Sequence, residues 1–173
     1  MKTDLTIGIS HLMERPTGTR ESYTFDARIQ FKDFKITSKI QGRAEIMRIE
    51  EGLNVRIEGV KTSAQLVCDH CLENFIQDIL ITQAERQFWL DPPQVVEDVN
   101  DLYLINKKSL TVDLSEMIRQ EIILHFPLIL VCSKSCKGLC SVCGNNKNHR
   151  DCQCEPADFQ ESKPLAALKE LIK

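Results

Sequence analysis

Cys132-Ser133-Lys134-Ser135-Cys136-Lys137-Gly138-Leu139-Cys140-Ser141-Val142-Cys143-Gly144 runs on through the polar loop Asn145-Asn146-Lys147-Asn148-His149-Arg150-Asp151 to Cys152-Gln153-Cys154. This stretch holds six of the chain's eight cysteines, and the other two stand far upstream in Cys68-Asp69-His70-Cys71. Cysteine pairs at such spacing collect on one tetrahedral zinc ion, because two thiolates can reach a common metal from a single tight turn. Eight cysteines make two full four-thiolate sites with none left over. A stretch this short buries little apolar surface, so bound metal has to hold it in place of a core.

Working outward, Cys140-Ser141-Val142-Cys143-Gly144 forms one knuckle, in which glycine after the second cysteine lets backbone amides turn toward sulfur with no side chain in the way. Cys152 and Cys154 return after the polar loop and complete a small ribbon. Cys132 and Cys136 are then left for Cys68 and Cys71. The spacing also allows Cys136 to join the local site, and allows His149 to replace Cys152 or Cys154. His70 lies inside its knuckle, where geometry points it away from a metal. The expected ligands are Cys68, Cys71, Cys132, Cys136, Cys140, Cys143, Cys152 and Cys154, on one or two structural Zn2+ ions.

Other cysteine chemistries fit less well. A disulfide scaffold needs an oxidising compartment, usually around a short secreted chain. This chain has 173 residues, and Met1-Lys2-Thr3-Asp4-Leu5-Thr6 lacks the basic-then-apolar run of a signal peptide. Charges or prolines interrupt every apolar run before it reaches membrane-spanning length, so a cytoplasmic protein without a membrane partner is expected. The cysteine spacings of ferredoxins are absent. A redox-active Cys68/Cys71 would need a strand-to-helix turn to lower its pKa, whereas Leu66-Val67 and Leu72 around it have the character of a strand.

Charge constrains the partners. Lys134, Lys137, Lys147 and Arg150 surround the C-terminal cysteines, where cations offset the net negative charge of a four-thiolate zinc centre. The whole chain is mildly acidic, with formal charge -3 and pI ≈ 5.8, which argues against affinity gained mainly by neutralising phosphates. Aromatics make up only 6% of the residues, and no base-stacking motif occurs. The distribution is uneven, however. Arg28, Lys32, Lys35, Lys39, Arg43, Arg48, Arg56 and Lys61 outnumber the acids among them, and from Asp69 to Asp101 the balance reverses. Alternating charges on strands make a solvated sheet face, and the basic stretch is also a candidate surface for direct RNA contact.

The first two-thirds of the chain alternates as half-buried strands do: Ile40, Gly42, Ala44 and Ile46, then Leu53, Val55 and Ile57, joined at Glu50-Glu51-Gly52 by a hairpin turn. A further strand leads through Ala64, Leu66 and Val67 into the first cysteine pair. Phe75 to Leu90 continues the sheet, with Phe88-Trp89 packed into its core, and Asp91-Pro92-Pro93 opens an acidic surface loop reaching Asp101. Asp113-Leu114-Ser115-Glu116 reads as a capping box, with Asp113 accepting an amide and Glu116 reaching back. The helix it starts places Leu114, Met117, Ile118 and Ile122 on one face, Glu116 and Glu121 on an exposed flank and His125 at its C-terminal end, before Pro127. Lys163 to Ile172 has the spacing of a short amphipathic helix. The expected fold is therefore α+β. Residues 1–128 form an antiparallel β-rich domain with one or two packing helices, including one near 113–125. Residues 129–173 form a cysteine-rich, zinc-ribbon-like module with a short C-terminal helix.

The run from Glu121 through Leu124-His125-Phe126-Pro127 and Cys136-Lys137-Gly138-Leu139-Cys140-Ser141-Val142-Cys143-Gly144 to Cys152-Gln153-Cys154 resembles the bacterial YceD family, the large ribosomal RNA subunit accumulation proteins. Cys68-Asp69-His70-Cys71-Leu72, Asp113-Leu114, the segment Glu14 to Arg20 and Phe25-Asp26 fit its pattern too. Where the family carries Asp-Pro-Arg before its last helix, this chain has Glu161-Ser162-Lys163-Pro164. The resemblance implies a noncatalytic factor in accumulation or processing of large-subunit ribosomal RNA and in ribosome assembly. Its expected partners are the large-subunit precursor particle or assembly proteins. The alternatives are a redox- or zinc-responsive regulator that binds protein and, more remotely, a metal-dependent nuclease.

Overall fold

The computed structural model of the protein describes residues 5–92 and 102–154. They fall into two compact units. One comprises the chain up to Leu66 together with Asn74–Leu130, and the other Val67–Glu73 together with the residues from Val131 on. The first cysteine loop thus groups with the second unit, although it lies within residues 1–128. The acidic stretch to Asp101 and the helix expected from Lys163 to Ile172 lie outside the described residues.

The elements in chain order are β1 (Thr6–Gly8), α1 (Ser10–Met13), β2 (Arg20–Ala27), β3 (Lys35–Ile36), β4 (Ile40–Ile49), β5 (Gly52–Val67), β6 (Asn74–Trp89), β7 (Tyr103–Leu104), β8 (Thr111–Asp113) and α2 (Ser115–Leu124). A six-stranded sheet runs β2-β4-β5-β6-β7 with β3 added to β5, and β1 pairs β8 in a small second sheet. The pairings of β2 with β4, β4 with β5 and β3 with β5 are antiparallel, and β6 with β7 is parallel. The β-rich α+β class is as the sequence implies.

The β4–β5 turn sits where expected: Ile49 pairs Gly52 across Glu50-Glu51. Glycine is required at 52 on packing grounds, since a Cβ there would lie 2.0 Å from the Phe88 carbonyl oxygen. The two strand segments expected on either side of residue 60 are instead one strand, β5. Leu53, Val55 and Ile57 are buried, and then Val60, Ala64 and Leu66, so the buried phase shifts by one residue between Ile57 and Val60. The register shifts at the same place, from Gln41↔Lys61 to Arg43↔Glu58. Gly59, at φ +59, takes up the extra residue as a bulge of the kind that needs a left-handed first position. A phase break in the pattern therefore marks a bulge in one strand.

The core joins Ile40, Ile46, Leu53, Ile57, Ile81 and Phe88 of the sheet to Leu114, Met117, Ile118 and Ile122 at α2, each 0–1% exposed. Each such side chain contributes roughly 1.5–3 kcal/mol by leaving water. Trp89 is only half-buried, because it falls out of phase with Phe88 on β6. The N-terminal segment, to which the sequence pattern assigns no element, supplies Leu5, Ile9 and Leu12 to the same core. At the start of α2, Asp113 accepts the Ser115 amide at 2.9 Å, while Glu116 takes a two-point contact from Arg119 at 2.9 and 2.7 Å. Glu121 is not on an exposed flank. It is 6% exposed and bound by Arg86 at 2.6 Å, because β6 lies against that face of the helix. His125 closes the helix as its C-cap, with Nδ1 2.7 Å from the Glu121 carbonyl oxygen. Among the described residues no helix is long and apolar enough to cross a membrane.

Candidate metal centres

The second unit gathers the cysteines into two groups of four. Cys68, Cys71, Cys132 and Cys136 form one and Cys140, Cys143, Cys152 and Cys154 the other, with the sulfurs of each group within 4.8 Å of one another. All eight are free thiols. In the first group the Cys71 and Cys132 sulfurs are 3.7 Å apart, and those of Cys68 and Cys136 are 3.9 Å apart. Four sulfurs held tetrahedrally at ~2.3 Å from one ion lie ~3.8 Å from each other, so the spacing fits a single central ion.

Two similar turns supply the C-x-x-C ligands. In one, the Leu72 amide donates to the Cys68 carbonyl at 2.9 Å; in the other, the Gly144 amide donates to the Cys140 carbonyl at 2.9 Å. Both turns place the residue after the second cysteine in the left-handed region, at φ 72 for Gly144 and φ 61 for Leu72. The sequence rule for glycine foresees the first. The second breaks it, with leucine held where an L side chain is strained by roughly 1–2 kcal/mol.

The loops are tied together by their own polar groups. Leu139 donates its amide to the His70 carbonyl at 2.9 Å, and Cys140 donates to Asn145 at 2.8 Å. A Cβ on Gly138, at φ +68, would sit 3.1 Å from that His70 oxygen, so the residue is glycine for both space and conformation. Asn148 accepts the Lys137 amide at 2.8 Å through Oδ1 and donates Nδ2 to the Cys136 sulfur at 3.4 Å. It thus supports one thiolate directly, a role that an asparagine in a polar loop does not announce. His149 pairs with Glu73 through Nε2 and stands outside both groups, as does His70.

Proton affinities diverge within each group. Burial opposes ionisation of Cys68, but the amides of Cys132, Cys71 and His70 outweigh it and lower the thiol to about 6. The Asn148 side chain lowers Cys136 as well. Burial, then the neighbouring Cys136, pushes Cys132 up to about 12. Cys71 is raised although the Glu73 amide opposes the shift, through burial and Cys68. In the second group the amides of Cys143 and Val142 lower Cys140 to about 6. The Cys140 sulfur raises Cys152, and the Cys143 sulfur, then burial, pushes Cys154 up to about 12. Sulfurs this close cannot all ionise side by side, and a divalent cation at their centre removes that restriction. Each group is a complete donor set for a tetrahedral metal ion.

Fold and site together define a β-rich protein whose second unit is organised around two four-cysteine clusters. The family model described as Large ribosomal RNA subunit accumulation protein YceD matches residues 59–172, and the chain belongs to that family. It is similar to "Large ribosomal RNA subunit accumulation protein YCED homolog 1, chloroplastic" from Zea mays, with 44% identity over 58 residues, covering 33% of this chain and 20% of that protein. The protein of the same description from Arabidopsis thaliana is 25% identical over 170 residues, covering 80% of this chain and 51% of its own. The match therefore spans about half of the Arabidopsis protein and a fifth of the maize one. No solved structure matches the chain.

Proposed function

We propose that the protein is a noncatalytic, zinc-braced factor that supports accumulation or processing of large-subunit ribosomal RNA. Its partners on this reading are the precursor particle or the assembly proteins on it. Family membership supports the ribosomal role. The observation that carries the zinc is the sulfur spacing of 3.7 and 3.9 Å, which suits four thiolates on one ion. Softness of the donors favours zinc over the oxygen-seeking cations. Four cysteines fill a tetrahedral shell and leave no position for an activated water, which argues for a structural role and against a nuclease. A second reading, a redox- or zinc-responsive regulator of protein partners, draws on the exposure of Cys143 and Cys154. It requires reversible metal loss on mild oxidation with a matching change in partner binding.

The test is elemental analysis with free-thiol titration on protein purified under reducing conditions, beside measurement of large-subunit ribosomal RNA in depleted cells. Two zinc ions per chain, no reactive thiol, and rescue by the wild type but not by a Cys140→Ser/Cys143→Ser chain are expected. Metal-free protein with normal rescue by the serine chain would sink the zinc reading. Unchanged ribosomal RNA on depletion would sink the ribosomal one.

A further inference from the structure

An open groove of about 610 Å3 lies on the β-rich unit, and it originates in a change of strand partner along β5. β4 pairs β5 as far as Gln41↔Lys61, and β3 takes over at Ile36↔Ala64. Between them Thr62 and Ser63 are paired with neither β3 nor β4 on that edge. The backbone of Ser63 is satisfied by the loop instead: its carbonyl accepts the Thr37 amide at 2.8 Å, and its amide donates to Ser38 Oγ at 2.8 Å. The interruption leaves a hydroxyl-lined depression rather than a flat sheet.

Three cations reach it from separate parts of the chain. Arg28 follows β2, Lys39 precedes β4 and Lys61 stands on β5 beside the bulge. Elsewhere in the basic stretch Arg43 pairs Glu58 across the strands at 2.9 Å and Arg56 reaches Glu58 and Glu85 at 3.7 and 3.8 Å, while Lys32 and Lys35, which are in no ion pair among the described residues, lie outside the groove's lining. Within the groove Lys39 is partly offset by Asp26 at 3.0 Å. Arg28 and Lys61 are exposed and take part in no ion pair among the described residues. The one carboxylate lining the groove, Asp78, accepts from the Ser63 hydroxyl at 2.7 Å.

We propose that this groove binds the phosphodiester backbone of single-stranded RNA, with Arg28 and Lys61 each taking a phosphate. The proposal rests on the ribosomal reading above and assigns it a contact surface. Two exposed cations in one groove suit the phosphate oxygens of a backbone. The groove's lining contains no aromatic ring on which a base would stack, so recognition is of backbone and not of sequence. An acidic protein segment is the competing occupant. Its carboxylates would meet the same two cations, and the titration separates the two occupants.

The 173-residue, metal-loaded chain is titrated into a labelled mixed-sequence RNA of about 12 nucleotides at several salt concentrations, with anisotropy as the readout. Arg28→Gln/Lys61→Gln is expected to weaken binding roughly tenfold and to reduce the salt slope by about 1.4, at ~0.7 per lost phosphate contact. Asp78→Asn is expected to tighten binding, and Lys134→Gln/Lys137→Gln to leave it unchanged. Both groove substitutions are at exposed cations, and an unaltered unfolding midpoint verifies that the fold is kept. If the double variant binds as the wild type does, the groove is overturned while direct RNA contact stands. If the wild type binds no RNA but captures acidic segments of assembly proteins through Arg28 and Lys61, RNA contact and the groove's assignment both fall, while the assembly role survives.

Discussion

Leu72 and Gly144 occupy the same place in two matching turns, yet only one is the residue that the backbone prefers. Leu72 is 63% exposed, so exchanging it for glycine gives up little buried surface. Relief of left-handed strain outweighs the extra freedom that glycine gives the unfolded chain. Leu72→Gly is therefore expected to stabilise the metal-loaded protein by about 0.5–1 kcal/mol in urea unfolding. Gly144→Ala should destabilise it by about 1 kcal/mol; equal and opposite results would show that the two turns make the same backbone demand, and a destabilising Leu72→Gly would show that they do not. At this scale the two cysteine groups are legible because cysteine spacing is a local property of the sequence. Asn148 and the Glu73–His149 pair are not, because their partners lie 12 and 76 residues away along the chain.

Among elements, β5 shows how a regular pattern misleads when its phase changes. Burial falls on Leu53, Val55 and Ile57, then on Val60, Ala64 and Leu66, so two short strands are the natural expectation until the bulge at Gly59 is seen. Helix α2 is legible from its spacing and from the stop at Pro127, but the burial of Glu121 is not, since it depends on Arg86 arriving from β6. That pair supplies a test of packing. Arg86→Met keeps the stem and removes the charge, leaving the Glu121 carboxylate buried without its cation. A loss of about 2–4 kcal/mol in equilibrium unfolding is expected, and Arg86→Met/Glu121→Met should recover most of it. A loss below about 0.5 kcal/mol would mean that the pair is no more than a surface contact.

The whole molecule links proton uptake to metal loading. Folding lowers Cys68 and Cys140 to about 6, so in the metal-free protein the stability they add is complete above the ordinary thiol value of 9.0 and fades as pH falls through about 6. Cys132 and Cys154 are raised to about 12, so their contribution is present below 9.0 and is lost as pH rises through about 12. At neutral pH the four raised thiols, Cys71 and Cys132 in one group and Cys152 and Cys154 in the other, hold protons that an incoming ion must displace. Loading at pH ~7 should therefore release at least the two protons held by the raised thiols of each group, and affinity should fall more steeply below pH ~6 as Cys68 and Cys140 also protonate. Chelator competition with proton release measured in weak buffer tests this, and a pH-independent affinity would contradict it. The sequence makes the sheet class visible, and its partition of the eight cysteines already sends Cys132 and Cys136 to Cys68 and Cys71. It does not show that the whole loop Val67–Glu73 separates from the strands on either side of it, because that grouping comes from tertiary contacts. The same grouping sets an order of events on the ribosome that makes the chain. Cys71 leaves the exit tunnel 61 residues ahead of Cys132. At about 5–20 residues per second, the first thiol pair waits roughly 3–12 s for its partners. If metal is captured during that interval, the pair would hold it with two sulfurs only, open to exchange, and arrival of the second pair would close the cage.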